Sequence, residues 1–139
     1  MILLDTSGLL SALDESQRYH HECASVLGET SVPLLLSPFV LAELDYLLMR
    51  HIGQRAQTAL LEEVARGAYQ LEPFGAADVA RAKAVVERYA DLAIGLADAS
   101  IVVLAERHGV AEVLTLDERH FRAMRMERRR RFKVLPFDC

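Results

Sequence analysis

The sequence predicts an α/β domain with a central parallel sheet of four to five strands and helices on both faces. Two observations carry this expectation. Short apolar runs alternate with longer helix-like segments from end to end, and parallel strands need such crossover connections. The chain also has 139 residues, 52% of them hydrophobic. That is the size of one ordinary domain and enough to bury a core without disulfides or a structural metal. Residues 1–139 therefore read as a single domain, with no repeat, low-complexity segment or long linker.

Taken in order, residues 2–4 form a first strand. Thr6-Ser7 or Asp14 can cap the next element, a polar helix over 15–27 stopped by Gly28. Residues 32–36 are a second apolar run with Pro33 near its edge. Pro38 suits the first turn of a helix over 39–51, which Gly53 breaks. A helix over 54–65 ends at Gly67, and 68–73 can be a strand. Residues 76–90 read as a helix with Val79, Ala82, Val86 and Tyr89 as its apolar positions. Residues 96–107 form another, stopped by Gly109. A strand over 112–116, a short helix over 118–126 and a last strand over 132–135 complete the chain.

The formal net charge of −4 hides an uneven distribution. Residues 1–110 carry 8 Lys+Arg against 15 Asp+Glu, a balance of −7; residues 111–139 carry 8 against 5, a balance of +3. The total argues against a general nucleic-acid binder, while the basic tail leaves a local phosphate contact open. Cys23 and Cys139 have no metal-ligand spacing and give no disulfide framework, so a reduced, cytoplasmic setting is expected. No apolar run approaches the roughly 20 residues of a membrane span. The opening Met1-Ile2-Leu3-Leu4-Asp5 lacks the basic start of a signal peptide.

In a parallel sheet, sites form beyond the carboxyl ends of the strands. Asp5 closes the first strand and Asp117 comes directly after the run Val113-Leu114-Thr115-Leu116. Either alone reads equally as a helix cap. Glu43 and Asp98 are harder to explain that way. On a helix, Glu43 has Phe39, Val40, Tyr46 and Leu47 as its neighbours three and four positions away, and Asp98 has Ile94, Gly95, Ile101 and Val102. Both carboxylates are therefore expected on a core face, where an uncompensated charge is strongly disfavoured. The compensation is either a buried ion pair or a shared metal ion. Between Met1 and Arg50 the only basic residues are Arg18 and Arg50, and neither apolar window supplies a cation. A metal is then the natural counter-charge. Oxygen ligands select magnesium or manganese rather than zinc, and crowded carboxylates should raise the pKa of at least one member. Such a site can activate water against a phosphodiester.

These residues resemble the motifs of PIN domains. Leu4-Asp5-Thr6-Ser7 resembles the opening motif, and Leu41-Ala42-Glu43-Leu44 the helix-borne Glu. Gly95-Leu96-Ala97-Asp98-Ala99-Ser100-Ile101 resembles the segment carrying the third acid, and Leu114-Thr115-Leu116-Asp117-Glu118-Arg119-His120-Phe121 the strand-end motif with the fourth. Their order, spacing and the chain length resemble the VapC-type toxins of bacterial toxin–antitoxin pairs, over essentially the whole sequence. The resemblance implies a PIN-like fold and an endoribonuclease dependent on Mg2+ or Mn2+ that cuts single-stranded regions of structured RNA. It also implies a homodimer neutralised by a cognate antitoxin. Asp5, Glu43, Asp98 and Asp117 become the acidic quartet, and Thr6 a hydroxyl that positions a water or a metal ligand.

Other residues are weighed and set aside. Asp91 reads as a turn residue and Asp45 as a solvated position on another helix face. His20, His21, His51, His108 and His120 do not cluster at metal spacing, and His120 reads as a surface residue. Arg128-Arg129-Arg130-Arg131, with Arg122 and Arg125, can track an RNA backbone or form a solvated basic loop. Apolar residues between Phe39 and Ala65 leave room for a partner surface. Two other functions compete. A receiver-like phosphoacceptor domain also alternates strands and helices and binds magnesium. It requires adjacent acids after the first strand and a Lys after the last, whereas here Thr6 comes after Asp5 and Lys133 lies inside the last strand. A catalytically silent PIN-like binding domain conflicts with the intact acid set.

Overall fold

Ile2, Leu3 and Leu4 are all buried, as only a strand at the centre of a covered sheet can be. The computed structural model describes residues 1–138, and Cys139 lies outside the described residues. Strand β1 (Ile2–Leu4) is flanked by β2 (Leu34–Leu36) and β4 (Glu112–Leu114), with β3 (Gln70–Leu71) and β5 (Lys133–Leu135) at the edges. The order is β3-β2-β1-β4-β5 and every pairing is parallel. Leu3 pairs with Leu35 on one side and Val113 on the other, which fixes the register across the centre. The five-stranded parallel sheet expected from the alternation is present.

Seven α-helices connect the strands among the described residues: α1 (Thr6–Leu13), α2 (His20–Glu29), α3 (Pro38–His51), α4 (Gln54–Ala65), α5 (Ala76–Arg88), α6 (Leu96–His108) and α7 (Glu118–Ala123). Parallel crossovers are right-handed. The connections leading from β1 to β3 therefore lie on one face of the sheet, and those leading back to β4 and β5 on the other. The direction of travel reverses between β1 and β4, so a crevice opens beyond the carboxyl ends of those two strands.

Helix α3 starts where the sequence indicates. Ser37 caps it by accepting from the Phe39 N–H at 3.2 Å, and Pro38 occupies the first turn. Helix α6 is buried almost all round, from Ala99 through Ala105, and closes on Gly109 in the left-handed region at φ 64°. A buried hydrogen bond of 2.7 Å between the Ser37 and Ser100 hydroxyls ties these two helices together. Ser100 Oγ donates to the Ala97 carbonyl, so Ser37 is the donor in that pair.

The first helix departs from expectation. Helix α1 starts directly after Asp5, whereas the sequence pattern starts a helix only at residue 15. The carboxylate of Asp14 instead accepts from the Ser16 N–H, the Ser16 hydroxyl and Gln17 Nε2, which makes a turn. Helix α2 then begins at His20 and runs through Gly28, which is not its stop. Helix α1 is hidden from sequence patterning by Ser7, Gly8 and Ser11, all poor helix formers. Gly8 has a packing reason: a methyl group there would lie 2.3 Å from the Leu114 carbonyl oxygen. Two smaller departures arise from burial. Val79 of α5 is exposed while Val85 is buried. Helix α7 ends at Ala123 because Met124 and Met126 turn into the core.

Gly8→Ala should therefore push α1 off β4 and lower the unfolding free energy by about 1–3 kcal/mol. Urea unfolding would show it as a lower midpoint at constant slope. An unchanged midpoint would mean that α1 is free to lift.

Candidate active site

The crevice between β1 and β4 gathers all four acids. A hollow of about 360 Å³ is lined by Asp5, Thr6, Ser7, Glu43, Asp98, Asp117 and His120, with Leu10 and Leu47 among its apolar walls. No Arg or Lys lines it among the described residues, so no ion pair with either explains the acids. Lys133 lies in β5, 3.8 Å from Glu112, and offers nothing to the hollow that a receiver-like domain would need.

Asp5 is the deepest acid, only 5% exposed. Its backbone N–H donates to the Leu114 carbonyl, which places the side chain just past the strand ends. Thr115 Oγ1 donates to Asp5 Oδ2 at 2.6 Å and accepts from the Asp117 N–H at 2.9 Å. Ser7 Oγ accepts from the Leu116 N–H and lies 3.3 Å from the same Asp5 oxygen. Two hydroxyls thus orient Asp5 and link it to Asp117. Burial nevertheless pushes the Asp5 pKa up to about 7, against the Thr115 hydrogen bond, and the charges of Asp98 and Asp117 add to the rise.

Asp98 sits in the first turn of α6, where its Oδ2 accepts from the Gly95 N–H at 3.4 Å. Its pKa is also raised, chiefly by burial, with the Asp117 and Glu43 charges contributing in the same direction. Asp117 caps α7, and its Oδ1 accepts from the His120 N–H at 3.1 Å.

Glu43 requires a correction. It does not point into the core. The buried face of α3 is Val40, Leu44 and Leu48, and Glu43 is exposed. It leans across the mouth of the hollow, close enough for its charge to act on Asp98. Counting apolar neighbours cannot separate a core face from an adjacent cleft wall, because on a helix the two lie one residue apart.

His120 also requires correction, since it is not a surface bystander. Its Nδ1 lies 2.8 Å from Asp117 Oδ2 and 3.7 Å from Asp98 Oδ2. Its Nε2 is 3.1 Å from the Leu92 carbonyl, which can only accept, so Nε2 carries a hydrogen. Nδ1 is buried and approaches Asp117 without hydrogen-bond alignment. Nδ1 thus faces two carboxylates, as an ion-pair partner if the ring is charged and as a ligand atom if it is neutral. Asp98, Asp117 and His120 offer ligand atoms within 4.8 Å of one another. The available sequence signal is spacing: a helix cap and the third helical residue face each other. Thr115 is equally readable, lying two residues before Asp117 on an extended segment and thus on the same side.

Asp45 and Asp91 stay outside the hollow. Asp45 accepts from Gln57 Nε2 at 2.8 Å between α3 and α4, and Asp91 is exposed in a 3-10 turn at Ala90–Leu92.

The raised Asp5 pKa has a signed consequence for stability. The folded state holds this proton more tightly than the unfolded chain. The contribution is complete below the ordinary value of 3.8 and is lost as pH rises through about 7. In chelator, stability should fall across that interval, and Asp5→Asn should flatten the fall. Urea midpoints from pH 4 to 8 test it, and parallel profiles for the two proteins would refute it.

Comparison with known proteins agrees with this geometry. Ribonuclease VapC26 of Mycobacterium tuberculosis is 42% identical over 135 residues, which covers 97% of this chain and all of the relative. In structure, Mycobacterium tuberculosis VapC20, described as a sarcin-ricin loop cleaving toxin, superposes with a TM-score of 0.79 at 20% identity, covering 84% of this chain and 90% of that one. VapBC2 of Rickettsia felis, solved bound to a DNA fragment from its promoter, gives 0.67 at 18% identity, covering 96% and 98%. These structural likenesses speak to the fold. The PIN domain family model matches residues 2–127, and the chain belongs to the PIN domain family.

Proposed function

We propose that the chain is a metal-dependent endoribonuclease toxin of the VapC type, hydrolysing RNA phosphodiester bonds and neutralised by a cognate antitoxin. One observation carries this reading: Asp5, Glu43, Asp98 and Asp117 converge on one hollow, in a chain 42% identical to a ribonuclease. The donor set fits a hard divalent cation. Carboxylate oxygens suit Mg2+ or Mn2+. Burial and neighbouring carboxylates raise the pKa of Asp5 to about 7 and push that of Asp98 upward, so both favour the proton more than a free carboxylate does, and a cation competes with it. The buried Thr6 Oγ1 and His120 Nδ1 have no hydrogen-bond partner.

On this reading Asp5, Asp98 and Asp117 hold the ion, with His120 beside them. When bound, it supplies Lewis-acid polarisation of water and of the phosphodiester oxygens. The remaining work falls to side chains. Glu43, at the mouth, accepts a hydrogen bond from the attacking water and takes its proton as the new P–O bond forms and the P–O bond to the leaving ribose oxygen breaks, that oxygen taking a proton from solvent. The Thr6 hydroxyl orients that water. Thr115 and Ser7 keep Asp5 from rotating away.

The same reading includes a cytoplasmic setting, a homodimer and an antitoxin contact. Tyr46, Met49, Ile52 and Leu61 leave apolar surface exposed on α3 and α4. Beside it runs a groove of about 410 Å³ lined by Leu13, Leu48, Ile52, Ala56 and Leu60. Apolar surface of this kind is what a partner covers.

Incubation of the purified protein with total RNA, in magnesium, manganese or chelator, tests the chemistry. Discrete cuts are expected only with metal, and Asp98→Asn should slow them by about 100-fold or more. Metal-independent cutting, or cutting by the variant at the native rate, would overturn the assignment. His120→Ala should weaken Mn2+ binding by roughly 10–100-fold, measured by calorimetry without RNA. Unchanged affinity would remove His120 from the metal site.

A further inference from the structure

The arginine run between α7 and β5 is unaccounted for by the hollow. Residues 124–132 form a braced arm. Met124, Met126 and Phe132 are buried at its base, Arg125 and Arg131 pair as an antiparallel bridge, and the Met126 N–H donates to the Arg130 carbonyl at 2.9 Å. At the tip, Arg128 and Arg129 both adopt left-handed backbone, at φ 58° and 60°. That conformation favours glycine, and strain held by a braced loop marks a place where side chains matter.

The charges of this arm are unmatched. Arg122 is paired with Glu118 and Asp138. By contrast, none of Arg125, Arg128, Arg129, Arg130 and Arg131 makes an ion pair among the described residues. Arg125 and Arg130 donate only to backbone carbonyls. Beside the arm, Arg88, Tyr89, Arg125, Arg128 and Arg129 line a cleft of about 620 Å³ that also includes two acids, Glu106 and Glu127, so its arginines outnumber its carboxylates four to two. The cleft adjoins the acidic hollow. The Leu92 carbonyl accepts from His120 in the hollow, while the Tyr89 hydroxyl accepts from the Arg125 N–H at 2.8 Å. Helix α7 separates the two, and its six residues span about 9 Å.

We propose that this arm is a phosphate clamp for the RNA strand flanking the scissile bond. The inference rests on reading the hollow as an RNA-cleaving site. A polyanion approaching four carboxylates is repelled, so a substrate of that charge needs a cationic anchor close by. Guanidinium forks match phosphate oxygens in pairs, and Tyr89 offers an aromatic edge to an unstacked base.

The test uses Arg125→Gln/Arg128→Gln/Arg129→Gln, the three arginines of the arm that line the cleft, and the matching Lys triple variant, each also in an Asp98→Asn background for binding without cleavage. The plot of log affinity against log salt should lose about 2 units of slope in the Gln variant, about 0.7 for each lost contact. The Lys variant should retain the slope. For cleavage, KM should rise roughly 10–100-fold while kcat holds. Thermal melts confirm that the variants fold. Cleavage with unchanged KM and salt slope in the Gln variant overturns the clamp and leaves the nuclease reading intact. Loss of binding to an acidic protein partner, with RNA binding untouched, also overturns it. A changed slope without cleavage by the unsubstituted protein leaves an RNA-binding arm but removes the nuclease reading, and with it the clamp's place beside a scissile bond. Absence of both binding and cleavage removes both.

Discussion

Four carboxylates meet where β1 and β4 end, and their mutual repulsion is the constraint around which the rest is arranged. Neither strand pairing nor apolar packing favours that crowding. It persists because a fixed scaffold imposes it: parallel pairing of β1 with β4, the seat of α1 on the Leu114 carbonyl, and the Ser37–Ser100 bond between α3 and α6. The structure relieves the strain only in part. Thr115 and Ser7 give Asp5 hydrogen bonds, yet burial still holds its proton up to a pKa of about 7. A site under such tension is preorganised for a cation, since its arrival converts repulsion into attraction.

The two sides of the molecule divide the electrostatic work. The hollow is acidic and, on the proposed reading, takes a small hard ion. The arm beyond α7 is rich in arginines that make no ion pair among the described residues and, on that reading, meets a long polyanion. Separating them by one short helix keeps the arginines from neutralising the acids. His120 is the hinge between the two regions, since its ring contacts Asp117 on one side and the Leu92 carbonyl on the other.

Much of this is legible in the sequence. Alternating apolar runs imply parallel strands, and acids at the ends of two strands imply a site at their carboxyl edge. Asp5 and Asp117 stand at the strand ends where that reasoning puts them, while Asp98, expected on a core face, lines the hollow from the first turn of α6. Glu43 reaches the right hollow for a wrong reason, because helical neighbours report a face only to within a residue. His120 and Thr115 carry a spacing signal relative to Asp117, but Ser7 carries none. The roles of Ser7 and Thr115 arise from contacts across more than a hundred residues, as between Thr115 and Asp5. Helix α1 escapes it because the glycine that weakens its propensity is required by a contact that sequence periodicity does not encode.

The bond between Asp5 and Thr115 has a consequence for how the protein is made. Synthesis runs from the amino end, so Asp5 emerges from the ribosome long before its partner exists. Until β4 has been translated and docked, the first strand lacks a neighbour and the hollow lacks a wall. A nascent or prematurely terminated chain therefore carries three of the four acids without the means to assemble them. The hollow therefore cannot close before Asp117 has been made and β4 has docked beside β1.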